Sequence, residues 1–96
     1  MEIIAHELVG AKKSRALAVG EVIEPWLLVL HYTANQSAAG VVSWFQSPQS
    51  KVSAHLVVDF NGAITQMVPF NRRANHAGKS RWRDKEGCNG FSIGID

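Results

Sequence analysis

The chain has one cysteine among its 96 residues, Cys88, so it cannot form an internal disulfide, and a reducing compartment is the default reading. It has no run near the roughly 20 apolar residues that a membrane helix needs. Met1 to Gly10 has neither a basic start nor a long apolar stretch and does not read as a signal peptide, so a cytoplasmic location is expected unless the protein is released to its target in another way. Charge of one sign is also scarce. Ten Lys and Arg against eight Asp and Glu leave a net charge of +2, too little to imply a nucleic-acid partner. Two familiar motifs fail on single residues. His6-Glu7 opens like the zinc-protease H-E-x-x-H, but Gly10 stands where the second histidine belongs; Gly78-Lys79-Ser80 ends like a phosphate loop, but Arg73 stands where its first glycine belongs.

What is present is apolar content arranged in short periods. A 46% hydrophobic fraction predicts a folded globule, and 96 residues allow one small domain. Residues 1–25, with a basic cluster at Lys12, Lys13 and Arg15, read as an irregular arm or a short strand ending at Pro25. Leu27-Leu28-Val29-Leu30-His31 is a nearly unbroken apolar run that ends in a histidine. Such runs are expected in strands buried on both faces. Alternation puts His31 on the face of Leu27 and Val29, at the carboxyl end of its strand, where open α/β sheets place ligands. Ser37 is a candidate cap for a helix over 38–46, with Ala38, Val41, Val42 and Phe45 at i, i+3, i+4, i+7; Gly40 weakens it and Ser47-Pro48 ends it.

Residues 55–60 and 63–68 read as strands of a hairpin turning at Asn61-Gly62. A two-residue loop would put His55, Val57, Asp59, Ile64, Gln66 and Val68 on one face, and Leu56, Val58, Phe60, Thr65 and Met67 on the other. Residues 70–90 read as loop. Phe91 to Asp96 alternates as a half-buried strand, with Asp96 on the face of Ser92 and Gly94. The order is strand, helix, two strands, loop, strand. It predicts an α/β domain with a mixed β-sheet and helix cover. Because the last strand carries no polar tail, the chain is expected to be the N-terminal portion of a longer domain, divided here into an arm at 1–25 and the domain portion at 26–96. A flank left open in this way would permit self-association.

From the residues alone, His31 is a candidate metal ligand, and Asp96 a candidate base for a water beside that metal. His55 and His76 are equally readable as structural. Between Arg72 and Lys85 six basic residues and one acid surround Trp82, which suits a solvated loop or a groove for a small anion as well as a nucleic-acid backbone. Cys88 reads as a partly buried free thiol.

Five segments together resemble one family. Leu28-Val29-Leu30-His31-Tyr32-Thr33-Ala34, Lys51-Val52-Ser53-Ala54-His55-Leu56-Val57-Val58, Asn61-Gly62-Ala63-Ile64-Thr65-Gln66-Met67-Val68-Pro69-Phe70, Asn75-His76-Ala77-Gly78-Lys79-Ser80 and Asn89-Gly90-Phe91-Ser92-Ile93-Gly94-Ile95-Asp96 are similar to the zinc-dependent N-acetylmuramoyl-L-alanine amidases, the group that shares a fold with peptidoglycan recognition proteins. The resemblance implies hydrolysis of the amide between N-acetylmuramic acid and L-alanine in peptidoglycan or muropeptides, with Zn2+ as cofactor and neither a nucleic-acid nor a membrane partner. It makes His31 a zinc ligand and Asp96 the catalytic carboxylate, where the family usually has glutamate. It makes His76 and Asn75 substrate contacts, and His55 a groove-lining or structural histidine. Some relatives carry a catalytic tyrosine where this chain has Ala54. The remaining zinc ligands, a histidine and an aspartate or cysteine, and a catalytic lysine are expected beyond residue 96. The alternative reading is a non-catalytic peptidoglycan-binding module of the same fold.

Overall fold

The computed structural model describes residues 2–32 and 37–96; Thr33 and Ala34, the end of the first motif, lie outside the described residues. The strands are Ile3–Ile4 (β1), Glu7–Leu8 (β2), Lys12–Lys13 (β3), Val19–Val22 (β4), Leu27–Leu30 (β5), Leu56–Val58 (β6), Ile64–Gln66 (β7), Arg72–Ala74 (β8), Arg81–Trp82 (β9), Lys85–Glu86 (β10) and Ser92–Ile95 (β11). One helix, Ala38–Phe45 (α1), lies between β5 and β6, and a 3₁₀ turn at Cys88–Gly90 precedes β11.

The centre is a mixed five-stranded sheet in the order β3-β7-β6-β11-β5. β11 runs parallel to both of its neighbours, with Ser92 opposite Leu27, Ile95 opposite Leu30, and Ile95 also opposite Leu56. β6 and β7 are antiparallel, and β3 joins β7 in parallel. The segment expected as an irregular arm supplies β1 to β4. β3 becomes an edge of the main sheet, β4 pairs with β8, and β1 and β2 form a hairpin through Ala5 and His6, both at positive φ.

Opposite residues in a ladder share a face. One face therefore carries His55, Val57, Thr65, Ser92, Gly94, Leu27, Val29 and His31. Helix α1 covers the β6 and β7 part of that face. The Ser37 hydroxyl accepts the Gly40 N–H at 3.1 Å, the capping interaction expected from sequence. Val41 and Phe45 are buried in a cluster with Ala54, Val57, Met67 and Val68. The β5 and β11 part of the face lies beyond this cluster, and the site is built there.

The opposite face carries Leu56, Ile93, Ile95, Leu28 and Leu30. Gln66 also belongs to it and is fully buried; its side chain accepts the Leu8 N–H at 2.6 Å and donates to the carbonyls of Val68 and His6, which holds the β1–β2 hairpin beneath the sheet. Next to that hairpin a wholly apolar hollow of about 380 Å³ remains between Leu8, Leu28, Leu56, Phe70 and Ile95.

Three expectations are corrected. β5 is an edge strand rather than a central one, and Leu28 and Leu30 are 66% and 77% exposed. The β6–β7 turn has three residues rather than two. Asp59 pairs with Ala63, the Gly62 N–H returns to the Asp59 carbonyl at 2.9 Å, and Gly62 sits at φ +86°. That slip of one residue exchanges the faces: Leu56 and Val58 stand opposite Gln66 and Ile64, not with Thr65 and Met67. Residues 70–90, expected as loop, contain β8, the β9–β10 hairpin and the 3₁₀ turn. Among the described residues no helix is long and apolar enough to cross a membrane.

Candidate active site

The parallel ladder of β5 and β11 runs one residue past β5: the His31 N–H donates to the Ile95 carbonyl at 2.8 Å. On the other side of β11, the Asp96 N–H donates to Leu56 and its carbonyl accepts from Val58, at 2.9 and 2.8 Å. His31 and Asp96 therefore end adjacent parallel strands on the same face. Burial raises the Asp96 carboxyl above its ordinary pKa, and the neighbouring His31 imidazole partly offsets that rise.

His76 lies beside His31, over Ser92 and Gly94. Its Nδ1 lies 2.9 Å from His31 Nε2 and its Nε2 lies 3.0 Å from Ser92 Oγ. The Ser92 hydroxyl in turn donates to the Cys88 carbonyl at 2.6 Å. The His76 ring lies against Gly94, where a Cβ would come within 2.4 Å of His76 Cγ. The Asn89 side-chain oxygen accepts the backbone N–H groups of His76 and Ala77 at 3.0 and 2.9 Å, which fixes the loop that presents the ring. Burial, with the imidazoles of His31 and His55 close by, pushes the His76 pKa down to about 4, so His76 is neutral at physiological pH.

His55 has a different environment. It is 0% exposed. Its Nδ1 accepts the Gly94 N–H at 3.0 Å, so its Nε2 carries the proton and donates to the Arg72 carbonyl at 2.7 Å. Burial lowers its pKa. With both nitrogens engaged and no exposed surface it cannot touch a substrate. The groove-lining reading is corrected, and His55 ties β6, β11 and β8 together. Asn75, expected as a substrate contact, also turns away: its backbone N–H donates to Ser53 Oγ and its amide to the Lys51 carbonyl, and it does not line the groove.

The groove itself, about 620 Å³, opens beside β5 between His31, His76, Ala77, Ser80, Arg81 and Trp82. The β9–β10 hairpin forms its outer wall, braced by an Arg81–Glu86 ion pair at 3.1 Å and by Lys85 over the Phe91 ring, which stacks on Trp26. Of the basic, aromatic segment noted in the sequence, Arg81 and Trp82 line the groove, whereas Arg72 and Arg73 bond to the Gly20 carbonyl and to Glu21 in β4. Sequence reasoning missed Ser92, Gly94 and Asn89. Only the first two carried a signal, the small-residue face of the last strand aligned with His31 and Asp96.

Comparison with known proteins gives the family. The profile of the family described as N-acetylmuramoyl-L-alanine amidase matches residues 21–96. The chain belongs to this amidase family. It is 41% identical to the 1,6-anhydro-N-acetylmuramyl-L-alanine amidase AmpD of Haemophilus influenzae, covering 73% of this chain and 47% of that protein. It is 38% identical to the AmpD of Escherichia coli K12, covering 84% and 44%. A crystal structure of AmpD superposes with a TM-score of 0.88 at 30% identity, over 99% of this chain and 64% of that one. A complex of the amidase AmiD from E. coli with anhydro-N-acetylmuramic acid-L-Ala-D-γ-Glu-L-Lys superposes with a TM-score of 0.59 at 35% identity, over 85% of this chain and 33% of that one. The chain thus spans less than half the length of the curated AmpD relatives it matches. Its mixed sheet with one helix is the corresponding part of the amidase fold.

The family is generally zinc-dependent. Among the described residues no three His, Cys, Asp or Glu side chains converge as a metal cage. Among the described residues His31 could serve as a ligand: it is a half-buried imidazole at a strand end, facing the groove, with no hydrogen-bond partner on Nδ1 from those residues.

Proposed function

We propose that the protein hydrolyses the amide joining N-acetylmuramic acid to L-alanine in small anhydro-muropeptides. The observation that carries this is the placement of His31 and Asp96 on one face at the carboxyl ends of adjacent parallel strands, with His31 lining a groove, in a chain of the amidase family. The 1,6-anhydro class is preferred because the AmpD relatives carry it in their names and the AmiD neighbour binds such a ligand.

In this reading His31 supplies one protein ligand to zinc, and donors outside these 96 residues complete the three that a catalytic site needs. When bound, zinc polarises the scissile carbonyl and lowers the pKa of its water. Asp96 takes the proton of the attacking water and returns it to the leaving amine. Its raised pKa brings it nearer the working pH than an ordinary aspartate. His76 and the Trp82 wall hold the substrate and keep bulk water from the reacting carbonyl.

The test is cleavage of 1,6-anhydro-N-acetylmuramyl-tripeptide by the full-length protein, followed chromatographically with metal analysis of the same sample. We expect product release, about one zinc per site, and loss of both in His31→Ala. Activity intact in that variant would defeat the metal assignment. Binding without cleavage by the wild type would point to a carbohydrate–peptide binding module. The 96-residue chain alone should show no turnover.

A further inference from the structure

We infer that Ser92 is a positioning residue for His31, acting through His76. The Cys88 carbonyl can only accept, so the single hydroxyl proton of Ser92 goes to it, at 2.6 Å. With that proton committed, Ser92 Oγ can only accept from His76 Nε2, 3.0 Å away. His76 Nε2 therefore carries the proton, and in the neutral ring Nδ1 is the acceptor. His31 Nε2, 2.9 Å from that Nδ1, must then be the donor. The end of the chain is a His31 ring that holds a proton on Nε2, so that Nδ1 is the nitrogen left to face a metal.

The surroundings keep this order from relaxing. Ser92 is fully buried, so water does not offer its hydroxyl another partner. The His76 ring is seated on Gly94 with no room for a Cβ beneath it, and Asn89 grips the backbone on both sides of the ring's attachment. A metal ligand commonly has the tautomer of its imidazole set by a partner on the other nitrogen. Here that partner is another imidazole, itself set by the serine on its other nitrogen. The inference rests on the reading of His31 as a zinc ligand: the chain prepares Nδ1 as the donor atom before metal arrives.

Long-range ¹H–¹⁵N spectra of histidine in the metal-free full-length protein, together with zinc titration, test this. We expect His31 and His76 both to show the Nε2–H tautomer. In Ser92→Ala the His76 ring should become a mixture, His31 should lose its bias, and zinc affinity should fall about 10- to 100-fold. Ser92→Cys, a weak donor, should fall between. A His31 protonated on Nδ1 in the wild type would overturn the inference, and that spectrum decides even if a variant fails to fold. Unchanged tautomers and affinity in Ser92→Ala would overturn it as well. Wild-type protein with these tautomers but no zinc binding would sink the metalloenzyme reading and leave the hydrogen-bonded chain standing.

Discussion

Asp96 carries two opposed demands. The proposed function asks for an ionisable carboxyl at the end of β11, whereas burial there disfavours its charged form and raises its pKa. For an acid with a raised folded pKa, stability is present at low pH and is lost as pH rises from about the unfolded value of 3.8 through the folded one. Asp96→Asn removes that cost and the base together. We expect hydrolysis by the full-length protein to fall about 10²- to 10⁴-fold, with a urea midpoint at pH 7 no lower than wild type. A variant that lost stability as well would show that the carboxylate is needed structurally. Gly94 makes the complementary case. A methyl group 2.4 Å from His76 Cγ forces the ring or the strand to move. Gly94→Ala should cost about 1–3 kcal/mol in denaturant unfolding and weaken hydrolysis, though its side chain touches no substrate.

The helix and the hairpin show how local signals translate into structure. Helix α1 was legible because one residue type at one position, Ser37, has a single good use before an apolar 3.6-residue period, and Val41 and Phe45 then had to be buried. The hairpin was legible in kind but not in register. Asn61-Gly62 fits a two-residue turn, and it also fits a three-residue turn in which Gly62 takes the left-handed position. Burial chose the second. It places Val57 and Met67 in the helix-covered core and turns Gln66 to the other face, where it fixes the N-terminal hairpin. Gly62→Ala should therefore destabilise by about 1 kcal/mol through its positive φ alone, measurable as a shifted midpoint with unchanged denaturant slope. An unaffected midpoint would argue against this turn.

Across the molecule, acid should act through the two histidines beneath the sheet's working face. His76 is held at about 4 against an ordinary 6.5, and His55 is lowered by burial in the same direction. Between those values the unfolded chain binds more protons than the folded one, so stability rises with pH across that window and is lost as pH falls through it. Asp96 opposes this with the contrary sign, but it is one group against two. We expect the urea midpoint of the full-length protein to drop from pH 7 to pH 5, with a shallower drop in His76→Asn. A midpoint that stays level or climbs on acidification would contradict the burial seen for these rings. The same overall geometry leaves Leu28 and Leu30 exposed beside an apolar hollow, while Leu56 and Ile93 on the same face are buried.

Local pattern was enough for the strand ending in His31, the capped helix, the existence of the hairpin, and the alternation that lines up Ser92, Gly94 and Asp96. Each depends on side-chain period and turn chemistry over fewer than about ten residues. The five segments in order were enough for the family. Tertiary structure decided what depends on which strands are neighbours. It made β5 an edge and gave residues 3–22 places in the sheets. It buried His55 as a structural tie, turned Asn75 away, and joined Ser92, His76 and His31 across separations of 16 and 45 residues. Contacts at that distance along the chain leave no periodic trace in it, because they arise only when the parallel pairing of β5 and β11 brings two strand ends onto one face.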